Sequence, residues 1–176
     1  MFENDIRDIC RKIIESLIIK LNVNVEEDVR ERLVEGLINS IRAITFLAMM
    51  KANSAPERSF TKPSRINLSG TWFSVKQLDI ERVMQYDLPV RHLREEIRPT
   101  LDSIQLALDL ETNYGLSKYV KEIILEKDFE KALSVNSIAF EAEVLNKLKK
   151  RVNKRERSIT MSDLIEFEED SGKWFG

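Results

Sequence analysis

The 176-residue sequence has one cysteine, one histidine, five glycines and four prolines. One thiol excludes an internal disulfide scaffold, and one cysteine with one histidine does not complete a Cys/His zinc site. The single His92 also leaves the paired Glu-x-x-His motifs of carboxylate-bridged di-iron bundles unbuildable. Few glycines leave little material for phosphate-cradling loops, and neither GxxxxGK[ST] nor GxGxxG occurs. Long apolar runs are missing as well. Ile13–Leu21 and Ile38–Met50 are short and interrupted by Glu15, Lys20, Asn39 and Arg42, whereas a membrane span needs about 20 mostly apolar residues. The first ten residues, MFENDIRDIC, carry three acids where a targeting peptide needs bases. Together with the lone Cys10, this predicts a cytoplasmic protein without a membrane segment.

What is present is helical periodicity. Phe2, Ile6, Ile9, Cys10, Ile13, Ile14, Leu17, Ile18 and Leu21 recur at spacings of three and four, the stripe of an amphipathic helix. Asn24 with Glu27 reads as a capping box opening a second helix to about residue 53, striped by Val29, Leu33, Leu37, Ile41, Ile44 and Ala48. Its end, ITFLAMM, is apolar on nearly every side, as in a helix central to a fold or buried against a partner. From 54 to 73 the period disappears into a long irregular loop, with room for a short β-hairpin (65–68 and 71–75) around Ser69-Gly70.

Further helices are expected from Ser74 to about Tyr86 and from Pro89 onward, where Pro99 either kinks the helix or starts the next one, which continues through Leu101 to Tyr114 with Gly115 as a natural terminator. The inward stripe over 101–114 reads Leu101, Ile104, Ala107, Leu108 and Glu111. Ser117 is the expected cap of another helix, and Ser134-Val135-Asn136-Ser137 the break before a long one bearing Ile138, Ala142, Leu145, Leu148 and Val152. A last short helix follows Ser162. The expected fold is all-α: six to eight helices, a long central one at about 25–53, a single helical domain over 1–157 and an acidic tail over 158–176.

No catalytic, cofactor-binding or metal site emerges from the residues. His92 reads as a surface histidine among arginines. Neighbouring carboxylates such as Glu26/Glu27 and Glu95/Glu96 diverge on a helix, and Glu166/Glu168/Glu169/Asp170 lacks EF-hand spacing. Cys10 lies on an apolar stripe, a packing position.

Charge is distributed unevenly. The net −2 sums a +6 segment at 147–157 and a −4 tail at 158–176 with the rest of the chain. Arg58, Lys62, Arg65 and Lys76 run without an acid and interleave with Phe60, Trp72 and Phe73. Cations beside aromatic faces suit a single-stranded nucleic acid, whose phosphates and bases they contact respectively. Lys147, Lys150, Arg151 and Lys154 share one helical face and could track phosphates in the same way.

Surplus apolar residues form the other feature. Ile38, Phe46, Leu47, Met49 and Met50 fall partly outside the second helix's stripe, and Ile19 and Leu125 fall off theirs. Unburied apolar surface marks interfaces. The leading expectation is therefore a non-enzymatic helical interaction protein, a homo-oligomer or a subunit bound to a protein partner. The alternative is a nucleic-acid-associated protein using 58–76 and 147–157.

Overall fold

The computed structural model describes residues 2–54, 99–120, 127–152 and 157–170. These form five α-helices: α1 (Phe2–Leu21), α2 (Glu27–Ser54), α3 (Leu101–Tyr114), α4 (Lys127–Val152) and α5 (Met161–Asp170). A short 3₁₀-helix (Leu116–Tyr119) follows α3. The chain is all-α, and among the described residues the extended backbone amounts to one isolated parallel bridge between Val25 and Ile159. No described helix is long and apolar enough to cross a membrane. The expected hairpin, the helix at 74–86, the helix start at Pro89, and His92 lie outside the described residues.

Local chemistry sets the helix ends. Asn22 takes the left-handed conformation (φ 51°) at the end of α1. Its N–H donates to the Ile19 carbonyl and that of Val23 to the Ile18 carbonyl, the paired bonds of a Schellman cap. Lys149 Nζ donates to the Leu21 carbonyl at 2.7 Å, placing a cation at the negative end of the same helix. The capping box expected at Asn24 does not form. Asn24 and Glu26 instead lend their carbonyl and N–H to Ile159, and α2 starts at Glu27. Tertiary pairing claimed the backbone that a local cap would have used.

Two expectations about α4 are corrected. The helix runs unbroken through Ser134-Val135-Asn136-Ser137. Ser134 Oγ donates to the Lys131 carbonyl, Asn136 Nδ2 to Ala132 and Ser137 Oγ to Leu133. These side chains satisfy themselves on the preceding turn, so residues that favour breaks stay inside the helix. Ser117, correspondingly, caps no α-helix. The helix packed against every other described element is α4 rather than the one at about 25–53.

Ser137 to Leu145 are buried without interruption, so α4 is covered on all sides at mid-length. Small residues (Ser137, Ala139, Ala142) let neighbouring backbones approach, while Phe129, Leu133, Ile138, Leu145 and Leu148 fill the spaces between them. The predicted stripes of α1 and α2 face this core: Cys10, Ile13, Ile14, Leu17, Val29, Leu33, Leu37 and Ala48 are all buried. Outside it, Arg7 and Arg11 pair with Glu31 and Glu35 across α1 and α2. Each of these side chains is about two-fifths exposed, so the pairs contribute little beyond register.

The tail segment carries its own clasp. Thr160 and Asp163 form a reciprocal cap: Thr160 N donates to Asp163 Oδ2 at 2.8 Å, and Asp163 N to Thr160 Oγ1 at 3.4 Å. Arg157 grips the same carboxylate bidentately at 2.5 and 2.6 Å. Leu164 and Phe167 are buried beneath, with the Arg151 guanidinium 5.1 Å from the Phe167 ring centre. The Arg157 bond, opposed by burial and aided by the Thr160 donors, holds the Asp163 carboxyl well below the usual carboxylate range. A depressed acid stabilises the fold above its unfolded-state pKa and stops doing so as it protonates. The protection of the Ile159 and Leu164 amides, measured against their intrinsic exchange rates, is therefore expected to fall as pH drops below about 4. Asp163→Asn should show fast exchange already at neutral pH and no such acid limb.

Candidate interaction surfaces

The chemistry-bearing residues of the interior are carboxylates on α4. Glu141 and Glu143 lie two positions apart, about 200° around the helix, and face different neighbours. Glu143 Oε2 accepts from Ser103 Oγ at 2.6 Å and from Thr100 N and Oγ1 at 3.4 Å each. Thr100 is the N-cap of α3, with its Oγ1 accepting from Ser103 N at 3.2 Å. A buried anion thus meets the positive end of α3 and fixes where that helix begins.

Glu141 is fully buried and faces α2, where Ser40 Oγ donates to its Oε1 at 3.4 Å. Gly36 lies one turn away on α2, and a Cβ there would meet Oε1 at 3.3 Å, Oε2 at 3.6 Å and Cδ at 3.7 Å. That close approach is what the glycine in the middle of a 28-residue helix provides. Glu111, also buried, accepts from Ser117 N at 3.1 Å and from the Ser117 hydroxyl. It ties the end of α3 to the 3₁₀-helix, across Gly115 in the left-handed conformation (φ 63°). The three buried acids are joints between elements.

Cys10 is buried, and its thiol is pushed up to about 12 by desolvation first and by the nearby Glu141 second, against a smaller opposing effect of Arg7. A thiol that stays protonated is a poor nucleophile. Among the described residues, no three His, Cys, Asp or Glu side chains are grouped to hold a metal ion.

The apolar surface is distributed differently from the sequence expectation. Ile38 is buried in the chain's own core. Phe46 is 63% exposed on α2, and Ile19 is 76% exposed on α1. Leu47, Met49 and Met50 fall in the last turns of α2, and their side chains lie outside the described ones. On α3, Leu101 is 85% exposed, Ile104 37% exposed and Leu108 half-buried. The inward stripe expected here is therefore corrected in part: Ala107 and Glu111 are buried as expected, but Leu101 and Ile104 face outward and Ser103 and Leu110 face the core in their place. The helix is rotated because its polar pair Thr100/Ser103 is held by Glu143. Sequence periodicity alone favoured the leucine and isoleucine, and the bonding capacity of Ser103 was the signal that opposed it.

The basic region is only partly described. Lys150 is exposed, Lys147 is half-buried, and Arg151 lies over Phe167. Arg58, Lys62, Arg65, Trp72, Phe73 and Lys154 lie outside the described residues. Lys149 and Arg157 line an open cleft of about 250 Å³ with Asn22, Asn24 and Ile159. There Lys149 already caps α1 and Arg157 is neutralised by Asp163. No protein-family model, no curated protein and no solved structure matches the chain.

Two consequences are measurable. Gly to Ala in a helix interior ordinarily stabilises by about 1 kcal/mol. Gly36→Ala is instead expected to cost about 1 kcal/mol through overpacking on Glu141. In a Glu141→Ala background the same change should become stabilising, which a double-mutant cycle in urea would read. For Cys10, iodoacetamide at mildly alkaline pH should leave the native chain unlabelled and modify it only upon unfolding, as mass spectrometry would show.

Proposed function

We propose that the protein is a non-enzymatic helical interaction protein, working as a homo-oligomer or as a subunit of a larger assembly. The observation that carries this reading is large apolar side chains standing in solvent on well-anchored helices, although the chain has a filled core. Isolated exposed leucines are ordinary. The row Leu101, Ile104 and Leu108 is not isolated: it repeats at i, i+3 and i+7 along one face, the pattern by which a helix presents itself to another helix. Phe46 adds a large exposed ring on α2, where the sequence concentrates its surplus apolar residues.

A second reading, association with nucleic acid through 58–76 and 147–157, has one described feature in its favour, the exposed Lys150 on the last turns of α4. Its signature is affinity that falls steeply with salt as counterions are released.

Self-association through the end of α2 predicts a light-scattering mass above 20.5 kDa. Phe46→Glu should bring that mass down to the monomer value while leaving the melting transition in place, because the side chain is outside the core. A chain that is monomeric at every concentration tested would remove the homo-oligomer form of the proposal.

A further inference from the structure

We infer that α5 competes in cis with nucleic-acid phosphate for the basic segment at 147–157, an autoinhibitory contact that keeps this segment partly closed. The inference rests on the nucleic-acid reading above and names how that site is regulated. In the sequence a +6 run at 147–157 passes directly into a −4 run at 158–176. The fold lays the second back on the first: α5 packs against α4 and α2, with Leu164 and Phe167 buried. Two cations of the basic run are engaged by it. Arg157 gives both arms of its guanidinium to Asp163, at 2.5 and 2.6 Å, and Arg151 lies over the Phe167 ring.

A guanidinium fork takes a carboxylate and a phosphate in the same planar, bidentate geometry. Asp163 therefore holds the place on Arg157 that two phosphate oxygens would take. Glu166 and Glu26, both exposed, bear on the same guanidinium through space, so an incoming phosphate meets three acids there. Lys150 is exposed and Lys147 half-buried, which leaves a landing site weaker than the sequence charge implies. The attachment of α5 is also small. It consists of one bridge at Ile159, the Thr160–Asp163 cap with Arg157, and two buried side chains. Such a unit near a chain end opens at lower free energy than the core. Opening releases Arg157 and carries Asp163 and Glu166 away from it.

The test measures binding of the full chain to a fluorescein-labelled single strand of about 20 nucleotides, by anisotropy at about 50 mM salt. Leu164→Ala with Phe167→Ala is the deciding variant, because it loosens α5 without changing any charge. It should bind at least about tenfold more tightly than the parent chain. Asp163→Asn, which opens the fork directly, should gain a similar factor, and adding Arg157→Gln should remove most of that gain. Glu166→Gln takes one acid from the same helix but leaves the fork closed, and should gain no more than about twofold. Protection of the Leu164 amide from exchange should be lost in Asp163→Asn and kept in Glu166→Gln. A core melting transition retained in every variant would show that tighter binding comes from opening of α5 rather than from unfolding.

Unchanged affinity in the Leu164/Phe167 variant overturns the inference, since α5 then blocks nothing that the ligand uses. So does an equal gain from Asp163→Asn and Glu166→Gln, which assigns the effect to charge alone. In both cases a parent chain that binds the strand leaves the nucleic-acid reading standing. If neither the parent nor any opened variant binds, that reading fails and the inference fails with it.

Discussion

The fold depends on one constraint, the burial of α4 on every side at mid-length with two carboxylates inside it. Removing a carboxylate from water costs several kcal/mol unless the surroundings supply donors and shape. Glu143 draws Thr100 and Ser103 to itself and so fixes both the start and the rotation of α3. Glu141 faces α2, which meets it with Ser40 and with the missing side chain of Gly36. Three helices are thereby held in register by polar contacts that a sliding or rotated alternative would break. An apolar interface of similar area would specify register less strictly, because hydrophobic burial is non-directional.

From this follows what stands on the surface. With α3 rotated to serve Glu143, Ala107 and Leu110 pack inward while Leu101 and Ile104 are turned out. An apolar row in solvent is thus a consequence of polar bonding in the interior. The C-terminal segment attaches by separate means. A single bridge to Val25, the Thr160–Asp163 cap with Arg157, and Phe167 under Arg151 dock α5 on the end of α4. Part of the acidic tail is therefore spent on part of the basic segment, and Lys150 remains outside that pairing.

How much of this was legible in the sequence depends on the residue. The stripes of α1 and α2 were readable because their apolar residues recur at helical spacing on faces that are otherwise polar. Gly115 was readable because a left-handed terminator favours glycine. Thr160-Met161-Ser162-Asp163 has the capping spacing, but Ser162 competes with Thr160 as a cap and only the fold selects between them. Ser134 to Ser137 misled, since serine and asparagine serve equally as breaks or as side chains bonded back to their own helix. Gly36 gave no sign of its purpose, which is set by an acid 105 positions away in the chain.

The helical class and the helix ends that rest on local caps are written in the sequence. These follow from spacings and side-chain chemistry within a few residues of one another. Tertiary structure alone decided which helix is central, which face of α3 turns inward, and that Glu141 and Glu143 act as joints. Burial is a property of neighbours, and a glutamate in a sequence carries no mark of whether water or another helix will surround it.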